Sequence, residues 1–211
     1  MLKGRQTWVF ENKPVIISSA AIGGPFEAAG KLAQDFDILH DDIYLGQESF
    51  EKAEKMLLKE AAEKAIEKSG VKKEDINFFI SGDLLNQIIS SSFTARDLEI
   101  PYLGVFGACS SSMEGLAVAA SLINSKAANY TLSGASSHNA AAEKQFRYPT
   151  EYGSQKPPTA QWTVTGAGAV VLAQQGNGPK VTSATIGKVI DMGISDPFNM
   201  GAAMAPAAVD T

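Results

Sequence analysis

The chain has 211 residues, 45% hydrophobic and 19% charged, which suits one ordinary globular domain with a core of its own. The net charge of -5, the pI near 5.1 and the lack of any Lys/Arg cluster argue against nucleic acid as a partner and against simple electrostatic attachment to an anionic membrane face. No apolar run reaches the ~18–20 residues of a membrane span, and the first seven residues lack the apolar stretch of a secretory signal, so a soluble chain kept inside the cell is expected.

Taken in order, Thr7–Phe10 and Pro14–Ser19 read as strands separated by a turn at Asn12-Lys13, and Ala20 to Pro25 has loop chemistry. The acidic stretch Asp35–Gly46 shows no period and reads as a surface loop with solvated carboxylates. It lacks the spacing and glycine of an EF-hand. Glu48–Ser69 is the clearest helix: Phe50, Ala53, Leu57, Ala61 and Ala65 form a stripe, Glu and Lys fill the other face, and Gly70 supplies a left-handed cap. Ile76–Ser81 suits a buried parallel strand, and Leu84–Leu98 a helix ended by Pro101.

Tyr102–Gly107 is the next strand, Ser110–Lys126 a second strong helix and Tyr130–Ala135 a strand. Gln145–Trp162, with Pro149, Gly153, Pro157 and Pro158, reads as an extended, mobile loop. Val164–Gln174 and Val181–Val189 read as strands, and the tail from Asp196 looks unfinished. Alternation of strand and helix indicates an α/β fold, a parallel or mixed sheet with helices on its faces.

The sharpest chemical feature is Gly104 to Leu116, where a strand ends, small residues turn and Cys109 arrives at the start of a helix. Exposed N–H groups and the positive end of the helix dipole suit an anion there, either a thiolate or a bound carboxylate. A lone cysteine is also a common small core residue, and spacing alone leaves the two readings open. Cys109 is the sole cysteine, which forbids an intrachain disulfide and any multi-cysteine metal site. His138, just after a strand, suits a capping or loop role; His40 sits in the acidic loop and reads as solvated. Gly166-Ala167-Gly168 is too short for a dinucleotide fingerprint and reads as close packing. No metal site is expected.

Several segments together resemble the thiolase superfamily, nearest to its ketosynthase III-like branch. These are Ala61 to Val71 followed by Glu74-Asp75-Ile76, Phe106-Gly107-Ala108-Cys109-Ser110-Ser111 with Leu116-Ala117 and Ala120, Ser133-Gly134-Ala135-Ser136, and Thr165 to Leu172. The resemblance implies a thiolase-like fold of two similar halves. Residues 1–178 would form the N-terminal half and 179–211 the start of a truncated C-terminal half, with a sheet face left bare where the rest would pack. Enzymes of this superfamily pair the cysteine with a histidine and a second His or Asn from the later half. No histidine follows His138 here, and the glycine-rich run at Val164 to Gly168 lacks the acidic residue those enzymes usually carry.

Within the superfamily, Gly4 to Phe10, Gly104 to Ser111 and Gly193 to Ala207 resemble a branch found in endospore-forming bacteria. That resemblance implies binding of dipicolinate (pyridine-2,6-dicarboxylate) and a part in moving it into the developing spore, without turnover. Membrane proteins of the same operon would be partners, and the chain would sit peripherally at the forespore inner membrane. Cys109 carries over as the pocket residue, with Ser110 and Ser111 beside it. No cofactor is expected, although calcium bound to the ligand would ease its charge. Two alternatives stay open. One is an acyltransferase or condensing enzyme using Cys109 and coenzyme A thioesters, and the other is a homodimeric scaffold for a membrane transport complex.

Overall fold

The structure is a computed structural model and describes residues 1–146, 163–196 and 199–211. The chain opens with two short strands, β1 (Leu2–Lys3) and β2 (Thr7–Val9), then β3 (Val15–Gly23), the short helix α1 (Pro25–Ala28) and β4 (Ile38–Leu39). Helix α2 (Phe50–Ser69) leads to β5 (Phe78–Gly82), α3 (Ile89–Leu98), β6 (Tyr102–Gly104) and α4 (Ser111–Asn124). Then come β7 (Tyr130–Ser137), α5 (Asn139–Phe146), β8 (Gly166–Ala173), β9 (Ser183–Thr185) and a final helix, Met200–Asp210.

Six strands form the main sheet in the order β4-β3-β8-β7-β5-β6. The β3/β4, β5/β6 and β5/β7 pairs are parallel, whereas β8 runs antiparallel to both β3 and β7, so the sheet is mixed. Strand residues alternate between two cores, as the two-residue period of a pleated strand requires. Phe79 and Val171 join Leu57, Leu58 and Ala61 of α2 and Leu98 of α3; their neighbours Ile80 and Leu172 join Ala119, Ala120 and Ile123 of α4. Helices therefore cover both faces. A second, small antiparallel sheet, β1-β2-β9, ties residues 183–185 back to the N-terminus.

Helix α2 begins where Ser49 accepts the Lys52 N–H at 3.2 Å and ends at Gly70, with φ 69°. Both caps follow from side-chain and glycine chemistry at helix termini. One assignment on its surface changes: Glu54, expected on the polar face with the other charges, is fully buried beside Ala53, Leu57 and Leu58.

Other expectations shift with tertiary pairing. The loop expected at Ala20 to Pro25 is strand as far as Gly23, because β8 and β4 flank it and supply its ladder bonds. The acidic stretch starts at the end of a 3-10 turn, Ala33–Asp35, and holds β4, and Asp37 is tied to the Ala21 N–H at 2.9 Å and to Lys68 at 2.7 Å. The third helix starts at Ile89 rather than Leu84, after a turn in which Gln87 and Ile88 take positive φ.

The strand after Pro101 stops at Gly104, since the chain turns there toward the cysteine, and α5 runs two residues into the loop expected from Gln145. Of Val181–Val189 only Ser183–Thr185 is strand, and Val189 is 99% exposed. The tail folds into a helix of Ala-rich sequence, in keeping with alanine's high helix propensity, despite Pro206 inside it. The loop expected at Gln145–Trp162 lies, from residue 147 on, outside the described residues.

Candidate functional site

The chain leaves β6 as Val105 donates its N–H to Ser81 O at 3.0 Å, then turns through a 3-10 segment, Ala108–Ser110, into α4. Two backbone features make this elbow. Ala108 takes φ 48°, in the left-handed region a non-glycine residue rarely enters. Gly82 lies so near Val105 O that a Cβ there would stand 2.2 Å from it, so only glycine lets the strand and elbow approach.

Cys109 therefore lies in the turn just before α4, not in the helix's own first turn, and it is exposed. Ser110 donates its hydroxyl to Gly107 O at 2.7 Å, and Ser111, buried, accepts the Gly107 N–H at 3.1 Å. Both hydroxyl oxygens are thus engaged in shaping the elbow, and the Ser111 O–H keeps its proton available to donate.

Cys109 and Ser111 line a pocket of about 370 Å³ at the ends of β7 and β8, together with Asp83, Ser136, Val164 and Gly166. Ser110 is not among its lining residues. Asp83 follows β5 and is buried. Its carboxylate accepts the Leu85 N–H at 2.8 Å and the Ser91 N–H at 2.7 Å, which anchors the first turn of α3. Ser136 is buried at the end of β7, and its hydroxyl lies 3.1 Å from Glu54 Oε1. The other oxygen of Glu54 is buried with no hydrogen-bond partner among the described residues. Burial, reinforced by the neighbouring Asp83 carboxylate, pushes the Glu54 carboxyl up to about 8, so that it holds a proton at neutral pH.

Neither histidine lines this pocket. His138 is fully buried, with Nε2 2.8 Å from Ile43 O and Nδ1 accepting the Ala141 N–H at 3.4 Å. It caps α5, and burial lowers its pKa. His40, expected to be solvated, is partly buried and lies 2.6 Å from Glu60 on α2, because β4 carries it onto that helix. Among the described residues no group of three or more His, Cys, Asp or Glu is arranged to hold a metal, and no helix is long and apolar enough to cross a membrane.

Sequence reasoning singled out Cys109, Ser110 and Ser111 but not Asp83, Ser136 or Glu54. For Glu54 a signal was present: with Leu58, Ala61 and Ala65 it keeps the helical spacing of a buried face. Asp83 and Ser136 carry no such signal, since only strand pairing brings them beside Cys109.

The model of the family "Stage V sporulation protein AD (SpoVAD)" matches residues 4–211. The stage V sporulation protein AD of Bacillus subtilis (strain 168) is 51% identical over 210 residues, and the chain spans 62% of that relative's length. Among solved structures, the chain resembles 3-oxoacyl-(acyl carrier protein) synthase III, FabH, of Xanthomonas oryzae pv. oryzae, with TM-score 0.51 and 19% identity over 79% of this chain and 57% of that one. It resembles the 3-oxoacyl-[acyl-carrier-protein] synthase III of Aquifex aeolicus VF5 similarly, with TM-score 0.51 and 16% identity over 78% and 55% of the two chains. These distant likenesses show the thiolase-like fold. The match along nearly its whole length shows that the chain belongs to the stage V sporulation protein AD family.

Proposed function

We propose that this sporulation protein binds dipicolinate in the pocket beside Cys109 and serves its uptake into the developing spore as a carrier or receptor, without turnover. The observation that carries the reading is the pocket itself. An exposed cysteine and two buried serines, Ser111 and Ser136, meet on the walls of one cavity in a member of a sporulation family. Hydroxyl donors in a confined site suit the carboxylates of a small planar dianion, for which hydrogen bonds to a charged acceptor are the strong ones. A net charge of -5 gives no long-range attraction to such a ligand, so local donors must hold it, and a calcium-chelated form would be easier to accommodate. The test is calorimetric titration of the full-length protein with dipicolinate, with and without calcium. Saturable binding weakened by Cys109→Ala is expected; no binding, or binding indifferent to that change, overturns the reading.

The exposure of Cys109 on the pocket wall favours a second reading, an acyltransferase or condensing enzyme that accepts an acyl group from coenzyme A on the thiol. Mass spectrometry of the full-length protein after incubation with acyl-coenzyme A checks it, a stable adduct on Cys109 being the supporting result. A third reading concerns assembly. Strand β6 closes one edge of the sheet with Leu103 and Phe106 exposed, 41% and 55%, and an open edge with apolar neighbours suits pairing with a second copy. On this reading a homodimer docks on membrane proteins of the same operon at the forespore inner membrane, and a pocket variant that still supports dipicolinate uptake would favour it.

A further inference from the structure

Glu54 is a fully buried carboxyl on α2 that none of these readings uses. Its Oε1 lies 3.1 Å from the hydroxyl of Ser136, and Ser136 is also part of the pocket wall that holds Cys109. Its Oε2 has no partner among the described residues. Burial in such surroundings favours the neutral acid.

Among the described residues the charged neighbours are few. Asp83 comes from the connection after β5. Glu51, one turn earlier on α2, is paired at 2.9 Å with Lys144 of α5, which also carries Glu143. The α3 face presents Asp97, paired with Lys55 at 2.6 Å, and His138 closes the end of β7 with its ring tilted on Phe50. Strands β3 and β8, also packed on α2, contain no titratable residue. Among the described residues the charges that weigh on Glu54 are negative, Asp83 first and then Glu51, and both disfavour its ionisation.

We propose that Glu54 is a positioning residue: as the neutral acid it donates its O–H to Ser136 Oγ, which leaves the Ser136 hydroxyl hydrogen free to donate to an anion in the pocket. A hydroxyl has one hydrogen to give, and the partner it serves decides what else it can bind. When Glu54 ionises, Ser136 must turn that hydrogen back onto the carboxylate. The pocket then loses a donor and gains a nearby negative charge. Anion binding is therefore strong below about pH 8 and is lost as pH rises through it, the sign following from a carboxyl held above its ordinary range. The inference rests on the pocket as a dipicolinate site and adds to it the identity of the donor and the pH window.

The test uses Cys109 as a reporter in the full-length protein. Its rates of alkylation by anionic iodoacetate and by neutral iodoacetamide are measured from pH 6.5 to 9.5 by peptide mass spectrometry. Their ratio cancels the ionisation of the thiol itself. In the wild type the ratio should hold steady to about pH 7 and then fall roughly tenfold, the worth of one hydrogen bond to a charged group. Glu54→Gln should keep the low-pH ratio throughout, because its amide donates to Ser136 at every pH. Ser136→Ala, which leaves α2 untouched, should start from a lower ratio and fall less. A flat wild-type ratio, or an unchanged fall in Glu54→Gln, overturns the proposal; so does a Ser136→Ala profile that matches the wild type. Dipicolinate titrations in parallel should follow the same curve. If the alkylation ratios behave as expected and dipicolinate does not bind, the ligand assignment fails and the role of Glu54 stands.

Discussion

On one face of the six-stranded sheet, α2 lays Leu57, Leu58, Ala61, Ala62 and Ala65 against the strands, all fully buried. On the other, α4 comes in with small residues: Gly115 sits where a Cβ would stand 2.9 Å from Ser133 Oγ, and Ala119 and Ala120 follow it. On the first face Leu57 and Leu58, alongside the three alanines, pack with Phe79, Leu132 and Val171. On the second, Ile123 of α4 packs with Ile80 and Leu172 while Gly115 allows close backbone approach, and the helix still exposes Met113 by 63%. Burying large apolar groups stabilises in proportion to area, whereas close approach gives position with less burial. The α2 face thus carries stability, and the α4 face places the elbow and Cys109 at the pocket.

The α2 face is most sensitive at Leu58. Leu58→Ala should cost roughly 2–5 kcal/mol by lost transfer energy and the cavity left behind, read as a lower denaturation midpoint of the full-length protein, with Cys109 alkylation unchanged in the folded state. Glu54 gives the next effect, and it depends on pH. With its folded-state carboxyl raised to about 8, the neutral acid's contribution is fully present below about pH 4.5 and is lost as pH rises to about 8. Relative to Glu54→Gln, the wild type should therefore lose a few kcal/mol of stability across that window and no more above it. Denaturant unfolding of both proteins at pH 5, 7 and 9 measures this, and parallel curves would mean that burial does not hold the Glu54 carboxyl neutral.

On the α4 side, Gly115→Ala should cost about 1–3 kcal/mol as an overpacked contact and should also alter Cys109 alkylation, since it pushes the helix away from the sheet. The smallest effect belongs to Met113→Ala, expected within about 0.5 kcal/mol because the side chain is exposed. A large loss there would mean that this surface is covered in the full-length protein.

Much of this was legible in the sequence where local chemistry decides. Gly70 caps α2, whose start the sequence set at Glu48 rather than Phe50, and the apolar runs at Ile76–Ser81, Tyr130–Ala135 and Val164–Gln174 are the central strands. What was hidden depends on partners distant in sequence. Nothing near Gly23 shows that β3 runs on to it between two neighbours, and nothing in β8 shows that it lies antiparallel between β3 and β7. The site divides the same way. The Cys109 elbow announces itself as glycines and small residues between a strand and a helix. Asp83 and Ser136 reach it only through the pairing of β5 with β7, which sets Gly82 opposite Ala135. Glu54 was obscured by its type, since a glutamate in a lysine- and glutamate-rich helix reads as solvated until its position on the apolar stripe is counted.

The small β1-β2-β9 sheet bears on the order in which the protein is made. Trp8 pairs with Ala184, and Gln6 reaches the backbone of Asp210 at 3.1 Å, so β2, although it pairs with β1 at once, meets β9 only after residue 185 has been synthesised. At about 5–20 residues per second the N-terminal segment waits on the order of ten seconds or longer on the ribosome with its edge unpaired. The main sheet has the same delay, because β3 waits for β8. Synthesis speed and chaperone supply in the sporulating cell therefore bear directly on how much of this protein reaches its folded form.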